Sequence, residues 1–598
     1  MSENVQHYDV IIYGMGLQGL AAATQLMKNC PEKTMLLISP VDGVYPGTIA
    51  TIGGQNYWDC QLLNNVSVHE KKESCQGGFF KYLFYPYKKY YNNIMMYDES
   101  YQLLLYLNFY NTLSKLGPAF HFNYNSDIVA VEKKDGRIES ITVNHFERDD
   151  ENMLRYISDT GYKVKGDIFI DASEDGKLAR LADGAVTTGR YDWPEYLLDD
   201  VEKRSNGVGR QQAATLMVKV KGVNPFVAQS GVEKNFRTIF DQSSDGAWGA
   251  DGEAGNYSRA DSKVKLFNDT YGEQYGYAFK PFNAAQNGPQ EDKAEADKEW
   301  WVNALMIFNV DGRAHERDRG LSCFPEYMIP GSKTTDQAYL DAREFLKGEG
   351  RTAFLDALHE WPGFEEAEFV IEGNQYSPFY NYPVTGDILY LRETVHMSTY
   401  TNNPDNDGEA DYYQVPYWRS LGAGPDSSSG NDADCYNHRI GLVWYNPDIH
   451  PYKFSDLKND EGEYIWWMDS YRHMRPDLVE EGYLPFENDA VPVNPMYFPY
   501  EGLLAHSVAN LLIPGYACGC CSVSWGEVRV LSNLCVLGDA AGIAAAYCFY
   551  NNKHPKSLTD YDIKMIQNQL RTMKTYGDDM KFAAILEIGH LTILKQMV

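Results

Sequence analysis

Three glycines near the start of the chain have the spacing Gly14-x-Gly16-x-x-Gly19. Between a strand and a helix, the first glycine permits a tight turn, the second lets the backbone approach a pyrophosphate, and the third allows close packing. Leu17 and Gln18 would then open the helix, with their N–H groups toward the phosphates. This spacing therefore indicates that the chain binds a dinucleotide.

The elements that must position this turn are present on both sides of it. Residues 10–13 are apolar and rich in β-branched side chains, which predicts a buried strand. Residues 20–27 are rich in helix formers, and the run 35–38 predicts a second strand. The order strand, glycine turn, helix and strand is that of a Rossmann-type nucleotide-binding unit.

One residue departs from the usual pattern of such a unit. An acidic residue normally ends the second strand and binds the ribose hydroxyls. Here Ser39 stands at that position. We expect the Ser39 hydroxyl to bind the ribose, but more weakly than a carboxylate would.

Four further segments are spread along the chain in a fixed order. They are residues 44–56, residues 165–176, the run Leu391-Arg392-Glu393-Thr394, and residues 510–542 with their Pro-Gly, Arg-Val and Gly-Asp-Ala-Ala-Gly motifs. Together with the glycine turn they resemble the FAD-dependent oxidoreductase family built on the glutathione reductase and fumarate reductase plan. The resemblance extends from about residue 10 to about residue 550.

The resemblance implies that FAD is the cofactor and assigns residues to its binding. In the loop beneath the flavin these are Gly47, Thr48, Gly53 and Gly54. In the strand and turn of the third segment they are Ala172, Ser173 and Asp175, and near the C-terminus they are Gly515, Arg529 and Val530. The main chain at Val129 would face the adenine.

A helix beginning near Arg529 would direct its first N–H groups at the flavin pyrimidine. Gly538 and Gly542 give that helix a small-residue face, which favours close packing on the first nucleotide-binding unit over a direct cofactor contact by Asp539.

Arg392 and Glu393 are the candidate catalytic residues. Matched to the Arg-Glu-Thr segment of the family, they would orient an anionic or polar group of the substrate. An internal ion pair that braces the second domain is an equally good interpretation.

A general base is not evident from the pattern. Ser522 and Trp525 stand where histidines are expected from the resemblance, so that this segment supplies no proton carrier. His396, His438 and His506 are other candidates, although an isolated histidine is more often structural.

The run Cys518-Gly519-Cys520-Cys521 lies between two of the flavin-binding segments. Burial of small thiols is the favoured interpretation, because cysteine is among the most buried residue types. A redox-active pair that exchanges electrons with the flavin is the second, and a metal site is the third. No second cysteine or histidine pair stands at a suitable spacing, so we predict no metal.

Composition narrows the class of protein and its partners. A net charge of −30 argues against a nucleic-acid partner, because a polyanion would be repelled. No apolar run approaches the roughly 20 residues that cross a bilayer, so we expect no membrane partner. The polar N-terminus and ten dispersed cysteines favour a cytoplasmic protein with reduced thiols. A small-molecule substrate is expected, and a homo-oligomer is compatible with the sequence.

The predicted fold class is α/β, with a Rossmann-like FAD-binding domain and an inserted mixed α+β substrate domain. Residues 1–190 and 500–555 form the discontinuous FAD-binding domain, 191–499 the substrate or cap domain, and 556–598 a helical tail. Within the insertion, the mixed-charge run 311–319 predicts a solvated turn or helix end. Residues 424–434 predict a flexible loop.

The predicted function is that of an FAD-dependent oxidoreductase, which transfers a hydride between a small organic substrate and flavin N5. One alternative is a binding or structural protein on the same fold that has lost turnover, since Ser39, Ser522 and Trp525 stand where more functional types are expected. The other is a thiol-linked flavin reductase.

Overall fold

The computed structural model describes residues 5–57, 62–63, 73–74, 78–80, 120–192, 208–227, 235–242, 246–254, 262–397, 438–443, 445, 448–453, 457–458, 464–465, 496–505, 507–520 and 522–572. The predicted loop 424–434, His506 and Cys521 lie outside these residues, as does the C-terminal part of the predicted tail.

Two large sheets contain most of the described strands. We label the strands β1 (Gln6–Tyr13), β2 (Met35–Ile38), β3 (Phe120–Asn123), β4 (Ser126–Lys134), β5 (Arg137–Arg148), β6 (Leu154–Tyr156), β7 (Tyr162–Asp171), β8 (Ala214–Lys221), β9 (Phe236–Gln242), β10 (Trp248–Ala254), β11 (Tyr277–Phe279), β12 (Phe282–Gln286), β13 (Trp300–Ile307), β14 (Glu368–Phe369), β15 (Leu504–Ala505) and β16 (Val508–Leu512). The helices are α1 (Leu17–Asn29), α2 (Lys177–Leu181), α3 (Lys263–Tyr275), α4 (Thr335–Lys347), α5 (Gly350–Leu358), α6 (Ser522–Val528), α7 (Leu531–Asn551) and α8 (Asp560–Thr572).

Shorter elements connect these strands and helices. Two-stranded ladders pair 62–63 with 73–74, 186–188 with 395–397, 310–311 with 333–334, 439–443 with 496–499, and 457–458 with 464–465. Short 3₁₀ turns cover Thr48–Ala50, Gly189–Asp192, Glu295–Asp297, Glu316–Asp318, Tyr500–Leu503 and Pro555–Ser557.

The first sheet has the strand order β15-β16-β7-β1-β2-β3, in which β15 is antiparallel to β16 and the other neighbours are parallel. Strand β1 pairs in parallel with β2 and with β7, and β16 pairs in parallel with β7 although it is far away in sequence. Strand β2 and residues 10–13 of β1 are apolar or aromatic and fully buried, as expected for a parallel sheet that is covered on both faces. This is an α/β Rossmann-like sheet with its glycine turn after β1, as predicted.

An antiparallel hairpin, β4–β5, extends from this sheet. Its turn residues Asp135 and Gly136 both have positive φ, at 52° and 72°. Two positive φ values match the twist of the flanking strands, and Asp-Gly is a favoured sequence for such a turn. Between the runs 128–131 and 138–143, the dipeptide Asp135-Gly136 predicts a hairpin from the sequence alone, and the structure confirms it.

The second sheet is antiparallel, with the order β9-β10-β12-β13-β8-β14 and with β11 on β13. Its core contains the fully buried Trp300 and Trp361 and several phenylalanine rings in edge-to-face contact, including Phe236 on Trp361 at 4.6 Å between centroids. Helices α4 and α5 contribute buried residues to the same core.

Helix α7 crosses α1 at very close range. A Cβ added at Gly538 would lie 2.2 Å from the carbonyl oxygen of Gln18, and one added at Gly542 would lie 2.5 Å from that of Ala22. The two glycines therefore permit the contact, as predicted. Asp539 accepts hydrogen bonds from the Gln25 side chain at 2.6 Å and from the Phe79 N–H at 2.8 Å, so that in this structure it holds neighbouring segments together.

By length and composition alone, α7 is the one described helix that could cross a bilayer. The prediction that no run approaches this length was therefore wrong for residues 531–551. The helix is buried within the protein, because its apolar residues cover α1 and the first sheet.

Candidate active site

The glycine turn is held by contacts that admit no larger residue. Gly14 has φ +105°, and a Cβ there would lie 2.5 Å from the backbone of Ala172. A Cβ at Gly19 would lie 2.2 Å from the carbonyl oxygen of Gly14. Gly16 precedes α1, and no side chain caps the first turn, which contains Leu17 and Gln18. An uncapped helix N-terminus beside a glycine turn is suited to binding a phosphate.

The loop that follows β2 folds back onto this turn. The Gly47 N–H donates to the Met15 carbonyl at 2.7 Å. Thr48 has φ +42°, which is unusual for a β-branched residue, and such strained residues cluster at functional sites. Gly53 packs on Ile49, and a Cβ at Gly54 would lie 2.8 Å from the Trp301 ring of the second sheet. The loop thus lies between the glycine turn and the second sheet.

The turn after β7 and the turn after β16 complete the arrangement. The Gln18 side chain donates to the Ala172 carbonyl at 2.8 Å, and the Ser173 hydroxyl donates to Asp171 at 2.6 Å. A Cβ at Gly515 would lie 2.6 Å from the Ser173 carbonyl oxygen. The carboxyl ends of adjacent parallel strands meet at one sheet edge, where ligands of such folds bind.

A cavity of about 860 Å³ opens at this edge. Of the predicted cofactor residues, those that line it are Gly14, Gly16, Thr48, Ala172, Ser173 and Asp175. The remainder lie outside its lining, namely Leu17, Gln18, Gly19, Ser39, Gly47, Gly53, Gly54, Val129, Gly515, Arg529 and Val530. The candidate catalytic residues Arg392 and Glu393 do not line it either.

Two of the residues outside the cavity have informative surroundings. Ser39 is fully buried, and its hydroxyl has no hydrogen-bond partner among the described residues. Val129 is partly exposed at an irregularity in the β4–β5 pairing. A buried hydroxyl without a hydrogen-bond partner among the described residues, at the end of β2, is suited to binding a ribose.

The mixed-charge run 311–319 was predicted to be a solvated turn, and this prediction was wrong for its central residues. Arg317 and Asp318 are buried, because Arg317 donates to Asp127 at 2.7 Å and to the Pro40 carbonyl at 2.9 Å. The fully buried Lys177 pairs with both Asp127 and Asp318 at 2.8 Å. This ionic cluster is charge-balanced and attaches the run to the first sheet beside Ser39.

His315 from the same run lines the cavity. Its ring nitrogens lie 3.6 Å from Asp175 and 3.6 Å from Asp336. Burial and the neighbouring Arg317 lower the pKa of His315, but the carboxylates of Asp175 and Asp336 outweigh them and raise it to about 9. His315 is therefore a cation at neutral pH, and it lies between two carboxylates that also line the cavity.

Sequence reasoning missed His315, Arg317, Arg148 and Glu174 as cavity residues. Glu174 accepts a hydrogen bond from the Thr48 hydroxyl at 2.8 Å, and burial raises its pKa to about 7. The signal in the sequence that could have identified Glu174 was its place within the segment 165–176. The two arginines and the histidine come from elements far away in sequence, and no motif marks them.

A second buried group lies around Glu393. Its carboxylate accepts hydrogen bonds from the Ser522 hydroxyl, from the Tyr452 hydroxyl at 2.9 Å, and lies 3.1 Å from His396 Nε2. The His396 ring also packs on Trp525 at 5.7 Å between centroids. Ser522 and Trp525 stand where the resemblance expects histidines. The structure places His396, one of the three candidate histidines, beside them.

Arg392 has different partners from Glu393. Its guanidinium donates to Thr215 at 3.2 Å and to Asn303 at 3.4 Å, and it stacks on the Tyr390 ring at 3.7 Å. Among the described residues no carboxylate forms an ion pair with it, and its Nε has no partner. Burial, together with Arg529, lowers the pKa of Arg392. A buried guanidinium without a counter-ion is suited to an anionic ligand.

The start of α7 carries further polar atoms without partners in the described structure. Arg529 pairs with Asp448, yet its Nε has no partner, and neither has the buried Ser532 hydroxyl. Val530 is the N-cap of α7, and no side chain caps this end. The Arg529 Nε and the Ser532 hydroxyl are polar atoms that a ligand could satisfy, which is compatible with the expected orientation of the start of α7 toward the flavin.

The remaining candidates have structural surroundings. Cys518 and Cys520 are fully buried with their sulfur atoms 3.6 Å apart. His438 pairs with Glu501 and with Asp560 at 3.3 Å, away from the Glu393 group. The described part of the C-terminal tail is α8, which packs Ile563, Ile566 and Leu570 into the core at the predicted spacing.

Comparison with known proteins defines the class to which this fold and site belong. The family model described as FAD dependent oxidoreductase matches residues 9–570, so the chain belongs to that family. It is an FAD-dependent oxidoreductase, and FAD is its cofactor. The glycine turn, the two uncapped helix starts and the orphaned Ser39 and Ser532 hydroxyls fit this cofactor.

Similarity to individual proteins is remote. The myxobacterial chondrochloren halogenase CndH is 10% identical, with 99% of this chain and 88% of that chain covered and a TM-score of 0.32. The p-nitrophenol 4-monooxygenase PnpA from Pseudomonas putida DLL-E4 is 9% identical, with 50% and 67% covered and a TM-score of 0.25. The flavin-dependent brominase Bmp2 is 11% identical, with 50% and 56% covered and a TM-score of 0.22. These likenesses are too distant to carry an argument. The comparison with curated proteins finds no match.

Proposed function

We propose that this oxidoreductase transfers a hydride between a small organic substrate and N5 of the flavin. The observation that carries the proposal is the convergence of the glycine turn, the 172–175 turn and Gly515 at one sheet edge, with Arg392 and Glu393 buried beyond it. Bound FAD supplies the redox chemistry, and the chain must bind it, orient the substrate and exclude water.

The residues that would hold FAD belong to three parts of the chain. Backbone N–H groups at Gly16 to Gln18 would bind the diphosphate, and Ser39 would bind the ribose. His315 and Arg317 also line the cavity, where each is paired with carboxylates and adds no net charge. Arg529 and the start of α7 would hold the flavin ring. The order of these segments supports the glutathione reductase and fumarate reductase plan.

Arg392 and Glu393 would have separate roles toward the substrate. Arg392 would bind a carboxylate or another polar group, because its described surroundings contain no ion-pair partner. Glu393 would orient His396 through the 3.1 Å contact between Glu393 Oε1 and His396 Nε2. We propose that His396 is the proton carrier that the sequence pattern did not supply.

We further propose the domain division 1–190 with 500–555, 191–499 and 556–598. The pairing of β16 with β7 in the first sheet supports the discontinuous first domain, and the separate core of the antiparallel sheet supports the second. A cytoplasmic location is supported by the six described cysteines, all of which are free thiols.

The function is tested by anaerobic titration of the FAD-loaded protein with small alcohols, amines and hydroxy acids, followed at the flavin absorption band. We expect at least one class to bleach the band, and Arg392→Met to weaken that reaction. Arg237→Gln, at an exposed pair with Glu253 in the second sheet, is the matched control. FAD-loaded protein whose band no substrate bleaches would favour a binding or structural protein.

A thiol-linked flavin reductase is the second candidate, and the 3.6 Å separation of the Cys518 and Cys520 sulfur atoms favours it. In that case two thiols would be oxidised to a disulfide as FAD takes up two electrons and two protons. Cys518→Ala with Cys520→Ala distinguishes the candidates. Unchanged bleaching in the double variant removes the thiol-linked candidate, and its loss with FAD still bound supports it.

A further inference from the structure

A second cavity lies in the inserted part of the chain, and none of its lining residues belongs to the FAD cavity. It measures about 710 Å³. Its apolar wall is formed by Tyr275, Tyr277, Ile307 and Phe308, three of which are nearly fully buried. Lys453 and Lys333 also line it. The cavity therefore combines an aromatic wall with two cationic side chains.

Lys453 is the unusual residue of this cavity. Its side chain is buried, with a relative exposure of 8%, and its ammonium donates to the carbonyl oxygen of Glu273 at 2.8 Å. Its described hydrogen-bond partner is this carbonyl, and not a carboxylate. Burial and Lys333 lower the pKa of Lys453, although the carboxylate of Glu273 acts in the opposite direction. Lysine is almost never buried without a counter-ion, because the unpaired charge is costly.

Lys333 brings a second positive charge to the same cavity, although it has a partner of its own. Its ammonium pairs with Asp341 on α4 and is about half exposed. The described hydrogen-bond partner of Lys453 is a neutral carbonyl, so no ion pair among the described residues neutralises its charge. An anion that enters it would gain charge-assisted hydrogen bonds from Lys453.

We propose that this cavity binds a small aromatic anion, with its carboxylate on Lys453 and its ring against Tyr277 and Phe308. This site is separate from the proposed flavin chemistry. The wall of aromatic and aliphatic side chains selects a planar apolar body, and the buried ammonium selects the negative charge. Its position beside α4 is notable because Asp336 and Tyr339 of that helix line the FAD cavity.

The test uses the FAD-loaded protein and benzoate as the probe, with binding measured by isothermal titration calorimetry. We expect saturable binding to the wild type, retained in Lys453→Arg and weakened by about tenfold or more in Lys453→Met. Lys265→Met, an exposed lysine on α3 that pairs with Asp269, is the matched control and should bind as the wild type does. The thermal midpoint without benzoate shows whether each variant is folded.

Two further probes separate the parts of the proposal. Benzyl alcohol has the ring without the charge and should bind more weakly than benzoate. Inorganic phosphate has the charge without the ring, and tighter binding of phosphate than of benzoate would overturn the aromatic part. The proposal as a whole is overturned if benzoate does not bind, or if it binds folded Lys453→Met as tightly as the wild type. It is equally overturned if binding shifts the flavin band and survives in Lys453→Met, because the anion would then occupy the flavin site.

Discussion

His396 Nε2 lies 3.1 Å from Glu393 Oε1, and neither side chain is exposed to solvent. Ser522 and Tyr452 donate to the same carboxylate, so that one buried acid joins residues from three parts of the chain. This arrangement links the segment 391–397 to the C-terminal flavin-binding segment. It also explains how a chain with Ser522 and Trp525 in place of the expected histidines has His396 beside that segment.

Removal of the Glu393 carboxylate should destabilise the protein. In Glu393→Ala, two hydroxyls and an imidazole lose their common buried acceptor, and we expect the free energy of unfolding to fall by about 3–5 kcal/mol. Denaturant unfolding measures this change. Glu139→Ala, at an exposed pair with Lys165, is the control and should leave stability unchanged. An unchanged unfolding midpoint in Glu393→Ala would show that the group does not hold these segments together.

Substitution of Glu393 by glutamine separates its charge from its shape. We expect Glu393→Gln to fold and to retain FAD, because an amide can still accept and donate hydrogen bonds at this position. Its rate of flavin reduction should fall, because His396 Nε2 loses the carboxylate oxygen that orients it. Stopped-flow reduction across a pH series gives the comparison, and a rate and pH profile equal to those of the wild type would refute the proposed role.

The contact between α1 and α7 should not tolerate a side chain at Gly538. A Cβ there would overlap the Gln18 carbonyl, so the two helices would have to separate, and we expect Gly538→Ala to lower the free energy of unfolding by about 1–3 kcal/mol. Gly373→Ala is the control, because no atom lies within 4 Å of the added Cβ. Equal thermal midpoints for the two variants would be inconsistent with the contact.

His315 predicts a pH dependence with a defined sign. The pKa of His315 is about 9 in the folded protein, against an ordinary value of 6.5. Its contribution to the free energy of unfolding is therefore full below pH 6.5 and is lost as the pH rises through 9. The contribution is about 3 kcal/mol. We therefore expect the stability difference between wild type and His315→Asn to shrink from pH 6.5 to pH 9.5. His7→Asn, at an exposed contact with Asp167, is the control. A difference that does not change with pH would contradict the protonated state.

The parts of this fold that were predictable from sequence depend on local patterns. The bounds of β2 were predicted at residues 35–38 as observed, and Asp135-Gly136 predicted its turn because few dipeptides adopt two positive φ values. The glycine spacing predicted the turn after β1, because Gly14 adopts a positive φ and has no room for a side chain. The helix predicted to begin near Arg529 is observed at Leu531–Asn551.

The parts that were not predictable depend on partners far away in sequence. The run 311–319 looks solvated by composition, and only the meeting of Arg317 with Asp127 and of Asp318 with Lys177 buries it. In the same way, Glu393 meets Ser522 and His396 through tertiary packing. Such pairings leave no periodic signal in one sequence.

Titration of flavin-free protein with FAD, followed by flavin fluorescence, tests the central claim most directly. Backbone N–H groups at the glycine turn should bind the diphosphate, so we expect saturation at about one FAD per chain. In Gly16→Val the added Cβ would lie 2.7 Å from the Gln18 side chain, and we expect FAD to bind at least about tenfold more weakly, with the thermal midpoint showing that the variant is folded. Folded wild-type protein that takes up no FAD, or a Gly16→Val variant that binds it equally well, would contradict the account.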